Sequence, residues 1–133
     1  VECHGDVVKN GDTLTAQVKF ENGRTASLNA FTHTPFFSRL AIFGANGWVE
    51  VRDKAHVQAP EGWFFTTCFT DGKAETVEYE VATPVLSNLE CFADAIAGKA
   101  DYPNTPEQIV RNVSLLEAIV KSATTDELVR IER

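Results

Sequence analysis

Residues 92–123 read FADAIAGKADYPNTPEQIVRNVSLLEAIVKSA, and this stretch decides the fold class. It joins two helix signals through a short acidic, aromatic, proline-bearing loop. The first helix opens at Thr83-Pro84 or over Ser87 to Glu90, which have capping-box spacing, and Gly98 stands where a C-terminal glycine would end it. Leu89, Phe92, Ala93 and Ile96 share one side. The second helix is better marked: Thr105 as N-cap, Pro106 at the first helical position, Glu107 near the positive end of the dipole and Gln108 closing the box. Ile109, Val113, Leu116, Val120 and Ala123 recur at spacings of four and three, which predicts an apolar stripe laid on a sheet.

Upstream of these helices the period is two. Leu14, Ala16, Val18 and Phe20 alternate with Thr15, Gln17 and Lys19, and Glu21-Asn22-Gly23-Arg24 turns the chain into a second strand over about Thr25 to Thr32. Arg39 to Phe43 and Trp48 to Arg52 flank a glycine turn, with Val49 and Val51 on one face and Trp48, Glu50 and Arg52 on the other. Trp63 to Thr70 is β-branched and aromatic, Asp71-Gly72 turns it, and Val77, Tyr79 and Val81 alternate with Thr76, Glu78 and Glu80. Glu127 to Glu132 reads as a short closing strand. The order predicts an α+β fold: a largely antiparallel sheet of about six to seven strands, two C-terminal helices on one face and a short final strand. Phe31, Phe43, Trp48, Phe64 and Phe69 exceed what two helices can cover, so a bent sheet buries them or another protein surface does.

The 133 residues fit a single domain, 1–133, and the formal charge of −7 lacks the clustered Lys and Arg that nucleic acid or an anionic membrane requires. Neither is expected as a partner. Cys3, Cys68 and Cys91 are odd in number and far apart, which points to reduced thiols rather than a disulfide framework or a metal knuckle. No apolar run reaches membrane-spanning length and no signal peptide opens the chain, so the expected location is cytoplasmic. The start at Val1 and the absence of methionine suggest a fragment or a processed product.

No GxGxxG, GxxxxGK[ST], GxSxG or HExxH occurs, so no catalytic, cofactor-binding or metal-ligating residue is assigned. His4, His33 and His56 are dispersed. Three residues are candidates for substrate binding: His33 at a strand end, where loops gather site residues; Arg39, able to neutralise a carboxylate or sugar phosphate; and Trp63, an aromatic wall for a sugar-like ligand. The plainer accounts are an exposed turn histidine, a solvated strand arginine and a core or interface tryptophan. Asp101-Tyr102-Pro103 reads as a stiffened loop. Glu78 and Glu80 point the same way about 7 Å apart by strand rise, but nothing in the pattern buries either, and a solvated face is the better account.

Phe20-Glu21-Asn22-Gly23-Arg24-Thr25-Ala26, Ile42-Phe43-Gly44-Ala45-Asn46-Gly47-Trp48-Val49-Glu50-Val51, the helix pair with Asn88-Leu89, Phe92-Ala93-Asp94-Ala95-Ile96, Asn112 and Leu116-Glu117-Ala118, and Ser122-Ala123 before a final strand occur in an order that resembles the C-terminal domain of the Gfo/Idh/MocA family of NAD(P)-dependent oxidoreductases. The resemblance runs over most of Phe20 to Ile131. It implies an N-terminal Rossmann domain, absent from this chain, that binds NAD or NADP, and a second domain that shapes the substrate pocket and forms homo-oligomers through its exposed sheet face. The family's catalytic lysine lies in a Glu-Lys-Pro motif of the first domain, and its Asp/His pair precedes the position of Val1; neither motif occurs here. The resemblance therefore implies an inactive part of a dehydrogenase for a sugar, polyol or similar hydroxy compound. The alternative is a stand-alone α+β binding or assembly domain.

Overall fold

A computed structural model describes residues 2–7 by their backbone and residues 12–70 and 72–131 with their side chains. The strands are β1 (Glu2–Val7), β2 (Thr13–Lys19), β3 (Thr25–Phe31), β4 (Arg39–Gly44), β5 (Gly47–Asp53), β6 (Trp63–Phe69), β7 (Glu75–Tyr79) and β8 (Val129–Arg130), and the helices α1 (Pro84–Ile96) and α2 (Pro106–Thr125). Every described pairing is antiparallel. The α+β class, the antiparallel strands, the two helices and the short closing strand are those the sequence predicts. The strands divide, however, into two four-stranded sheets, β3-β2-β1-β8 and β4-β5-β6-β7. The chain correspondingly forms two compact units, Val1–His33 with Gly98–Arg133 and Thr34–Ala97.

In the first unit, the β2–β3 turn forms as predicted: Phe20 N–H donates to Arg24 O at 2.9 Å, Asn22 Oδ1 accepts from Arg24 N at 3.1 Å, and Gly23 takes φ +82°. Strand β1 escapes sequence reading because Glu2-Cys3-His4-Gly5-Asp6-Val7 has no alternation; its partners β2 and β8 on either side define it. Helix α2 lies against β1 and β8. Its start is as predicted, with Gln108 N donating to Thr105 Oγ1 at 3.3 Å and Thr105 N donating to Gln108 Oε1 at 2.8 Å.

The buried side of α2 differs from the predicted stripe. Ala118, Ile119 and Ser122 are buried, Ala118 and Ile119 clustering with Ala16 and Val18 of β2, while Leu14, Ala26, Leu115, Val129 and Ile131 pack around them. Ile109, Val113, Leu116 and Val120 are exposed. Both rows obey helical spacing, so periodicity cannot choose between them. The small side chains of Ala118 and Ser122 let the backbone approach the strands closely, and that proximity selects the row.

In the second unit, β4 to β7 form a meander of sequence-adjacent strands, so its pairings close locally without the chain's ends. Gly47 opens β5 at φ +143°, and a Cβ there would overlap the Cys68 main-chain carbonyl. Only glycine fits. Cross-strand partners share a face, which puts Arg39, Arg52, Phe64 and Glu78 in one row across four strands, with Phe43, Trp48, Glu50 and Cys68 on the same side. Leu40, Ile42, Val49, Val51, Phe65 and Val77 occupy the other side. The five aromatics singled out in the sequence thus separate: Phe43, Trp48 and Phe64 share a face, Phe69 lies opposite, and Phe31 belongs to the first unit.

Helix α1 begins after Thr83 with Pro84 in its first turn; Thr83 makes no side-chain cap, and the Ser87–Glu90 box is not the start. Ala97 N–H donates to Ala93 O at 3.0 Å and Gly98 follows at φ +68°, as predicted. None of its residues is buried, and Leu89, Phe92 and Ile96 are exposed. Among the described residues, no helix is long and apolar enough to cross a membrane.

Candidate functional site

The β2–β3 register sets His33. Thr13 pairs with Phe31, so Asp12 comes opposite Thr32, whose N–H and Oγ1 both reach Asp12 O, at 2.9 and 3.2 Å. His33 Nδ1 then lies 3.0 Å from Thr32 Oγ1 and 3.6 Å from Asp12 Oδ1. The Thr32 hydroxyl can donate to Asp12 O or to Nδ1, and the tautomer of His33 sets which. The imidazole is 78% exposed. Such a group can hydrogen-bond a hydroxyl, with the Asp12 carboxylate near its other side. The sequence reading found no partner for His33, because the link to Asp12 depends on hairpin register rather than on spacing.

Arg39 opens β4 in the second unit, with Nη1 3.5 Å from Glu50 Oε2 on the neighbouring strand. Trp63 opens β6, half-buried, paired with Asp53 and Tyr79. Its register puts it on the sheet face opposite Arg39. The two candidates therefore do not converge, and His33 belongs to the first unit.

Four residues outside the three candidates lie on or beside Arg39's face. Arg52 is its direct partner across β4–β5; the Arg52 guanidinium carbon lies 5.1 Å from the centroid of the Phe64 ring, and Lys54 Nζ lies 5.2 Å from the same centroid. Lys54 also pairs with the Glu78 carboxylate. Glu78 is thus an ion-pair partner rather than half of an acid–base couple with Glu80, which lies beyond the end of β7. Strand parity and the hairpin partners were legible; the register that brings these side chains together was not.

The first unit also holds a cavity of about 1110 Å³ between the β2–β3 turn and the N-terminal half of α2, lined by Phe20, Asn22, Gln108, Asn112, Leu116 and Ile131 among others. None of the three candidate residues lines it. Tyr102 of the inter-helix loop is half-buried. Cys68 and Cys91 are free thiols, and the side chains of Cys3 and His4 lie outside the described residues. Among the described residues, no three His, Cys, Asp or Glu side chains gather to hold a metal ion.

A nicotinamide dinucleotide requires a glycine-rich turn from a parallel strand into a helix whose first N–H groups face the pyrophosphate. Here the described strand pairs are antiparallel and both helices open with Thr-Pro, where proline offers no N–H. The described residues do not fit that group.

No family model matches the chain, and no curated protein matches it in sequence. The fold, in contrast, is that of one part of several solved oxidoreductase structures. An aldose-aldose oxidoreductase from Caulobacter crescentus, crystallised with glycerol, superposes at a TM-score of 0.79 with 17% identity, over 98% of this chain and 41% of that one. A protein of Desulfitobacterium hafniense assigned as an NADPH-dependent oxidoreductase gives 0.77 with 15% identity, over 96% and 41%. An NAD-binding protein from Listeria innocua gives 0.60 with 17% identity, over 97% and 40%. The chain spans about two-fifths of the length of the solved structures it matches.

Proposed function

We propose that residues 1–133 form the C-terminal substrate-binding and oligomerisation domain of a cytoplasmic, Gfo/Idh/MocA-like NAD(P)-dependent dehydrogenase acting on a sugar, polyol or similar small hydroxy compound. The observation that supports this reading is the fold match: nearly all of this chain aligns with two-fifths of proteins described as an aldose-aldose oxidoreductase, an NADPH-dependent oxidoreductase and an NAD-binding protein. The remaining three-fifths is the proposed place of the Rossmann domain, which supplies the dinucleotide site and the catalytic groups. The bound cofactor accepts or donates hydride; the residues of this chain bind and orient.

Within that reading, His33 hydrogen-bonds a substrate hydroxyl through Nε2, Arg39 answers a negative group and Trp63 provides an aromatic wall. Arg39 and Trp63 lie on opposite sheet faces, so a single ligand engages one of them and not both. The open apolar face of β4–β7 is the proposed contact with a second copy. Isothermal titration of the 133-residue chain with NADH and NADPH tests the assignment. No binding is expected, and micromolar binding by this chain alone would overturn it.

A further inference from the structure

One face of the β4–β7 sheet carries three cations side by side. Arg39 and Arg52 are direct partners across β4–β5, Lys54 follows Arg52 two residues later, and Phe64 is the partner of Arg52 across β5–β6. Like charges placed directly opposite one another in an antiparallel pair repel, so the arrangement calls for an answering negative charge. The outer two cations have one: Glu50 lies 3.5 Å from Arg39, and Glu78 pairs with Lys54. The middle cation does not. Among the described residues Arg52 makes no ion pair; its guanidinium rests 5.1 Å from the centroid of the Phe64 ring.

We propose that Arg52, steadied by Phe64 and flanked by Arg39, binds the anionic group of a small ligand, a carboxylate or phosphoryl group carried on a sugar or polyol. The anion site rests on the geometry of this sheet face, and only the sugar body rests on the reading above. A guanidinium offers a planar fork of donors matched to carboxylate and phosphate oxygens, and contact with an aromatic ring restricts its plane before the ligand arrives. Glu50 and Glu78, paired with Arg39 and Lys54, flank the site with negative charge that repels an extended polyanion. The site therefore selects an acid sugar or sugar phosphate over nucleic acid.

The test is an NMR titration of the 133-residue chain, following the arginine Nε–Hε signals at fixed ionic strength, with glucose, gluconate and glucose 6-phosphate. Saturable movement of the Arg52 signal with gluconate or glucose 6-phosphate, and none with glucose, is expected; the effective ligand identifies carboxylate or phosphoryl recognition. Arg52→Gln should weaken that binding by about tenfold or more, as loss of a charge-assisted hydrogen bond predicts. If Arg52→Gln disturbs the fold, Arg39→Gln is followed instead through the Arg52 signal, with weaker binding expected. An Arg52 signal that none of the three ligands moves, equal movement with glucose, or unchanged affinity in the variant followed would overturn the proposal. Each of these results leaves the oxidoreductase reading standing, since cofactor titration tests that separately.

Discussion

Ser122 donates its hydroxyl to the main-chain oxygen of Glu127 at 2.6 Å while its own side chain is fully buried. The bond ties the last turn of α2 to the segment that enters β8, next to the Asp126 cap, whose N–H reaches Ser122 O at 2.9 Å in a left-handed conformation of φ +56°. Ser122→Ala removes this tie but keeps the close approach, and a loss of about 1 kcal/mol is expected. Ser122→Leu overpacks the same place and should cost about 1–3 kcal/mol. Urea unfolding followed by circular dichroism measures both, and Ala costing more than Leu would contradict the packing account.

The choice between the two apolar rows of α2 has a direct test. Ile119 is 3% exposed and Leu116 is 60% exposed. Ile119→Ala should cost about 2–5 kcal/mol, whereas Leu116→Ala should stay within about 0.5 kcal/mol. Equal losses in the two variants would restore the stripe that spacing alone predicts.

Gly47 has no room for a side chain and a backbone that other residues rarely adopt. Gly47→Ala should destabilise the β4–β5 hairpin by at least about 1–3 kcal/mol from backbone strain alone, before the overlap with the Cys68 carbonyl is counted. Hydrogen exchange across β5 and β6 should report the loss there, with β2 and β3 little changed.

Thr105→Ala opens the capping box and should cost about 1 kcal/mol. Glu107 senses the same helix end: its carboxyl is held below the ordinary glutamate range, first by a backbone hydrogen bond, then by the Thr105 hydroxyl, with desolvation opposing and Arg111 adding the smallest share. A carboxyl depressed in the folded state stabilises fully above its unfolded value, about 4.3, and loses that contribution as pH falls through the folded value. The advantage of the wild-type chain over Glu107→Gln is therefore complete at neutral pH and disappears on acidification. A carbon-13 titration of Glu107 should show its midpoint rise in Thr105→Ala, and an unmoved midpoint would remove the threonine from the explanation.

Leu40 and Ile42 are exposed at 64% and 60% on the open face of β4–β7. Apolar side chains as exposed as these on one strand mark a surface that another copy of the chain can cover. Sedimentation should show dimers or larger species, and Ile42→Lys should shift them toward monomer. A clean monomer at high concentration would count against this surface as an interface.

Much of the fold was legible because its signals are local. The alternation of Leu14, Ala16 and Val18, the Asn22-Gly23 turn, and the Thr105-Pro106-Glu107-Gln108 cap each depend on a few neighbouring residues, and each forms where the chemistry places it. The site was less legible. His33 and Arg39 were singled out by type and place, but Asp12 beside one and Arg52 beside the other come from strand pairing.

By itself, then, the sequence determined the α+β class, the hairpin turns and both helices, since backbone preference and the period of apolar residues act within a few positions. Only the tertiary structure decided that the strands close into two sheets, that α2 buries Ala118 and Ser122 rather than Val113 and Leu116, and that Arg39 and Trp63 face opposite ways. The physical reason is common to all three: more than one pairing or facing satisfies the local pattern, and close approach between segments far apart in the chain selects among them.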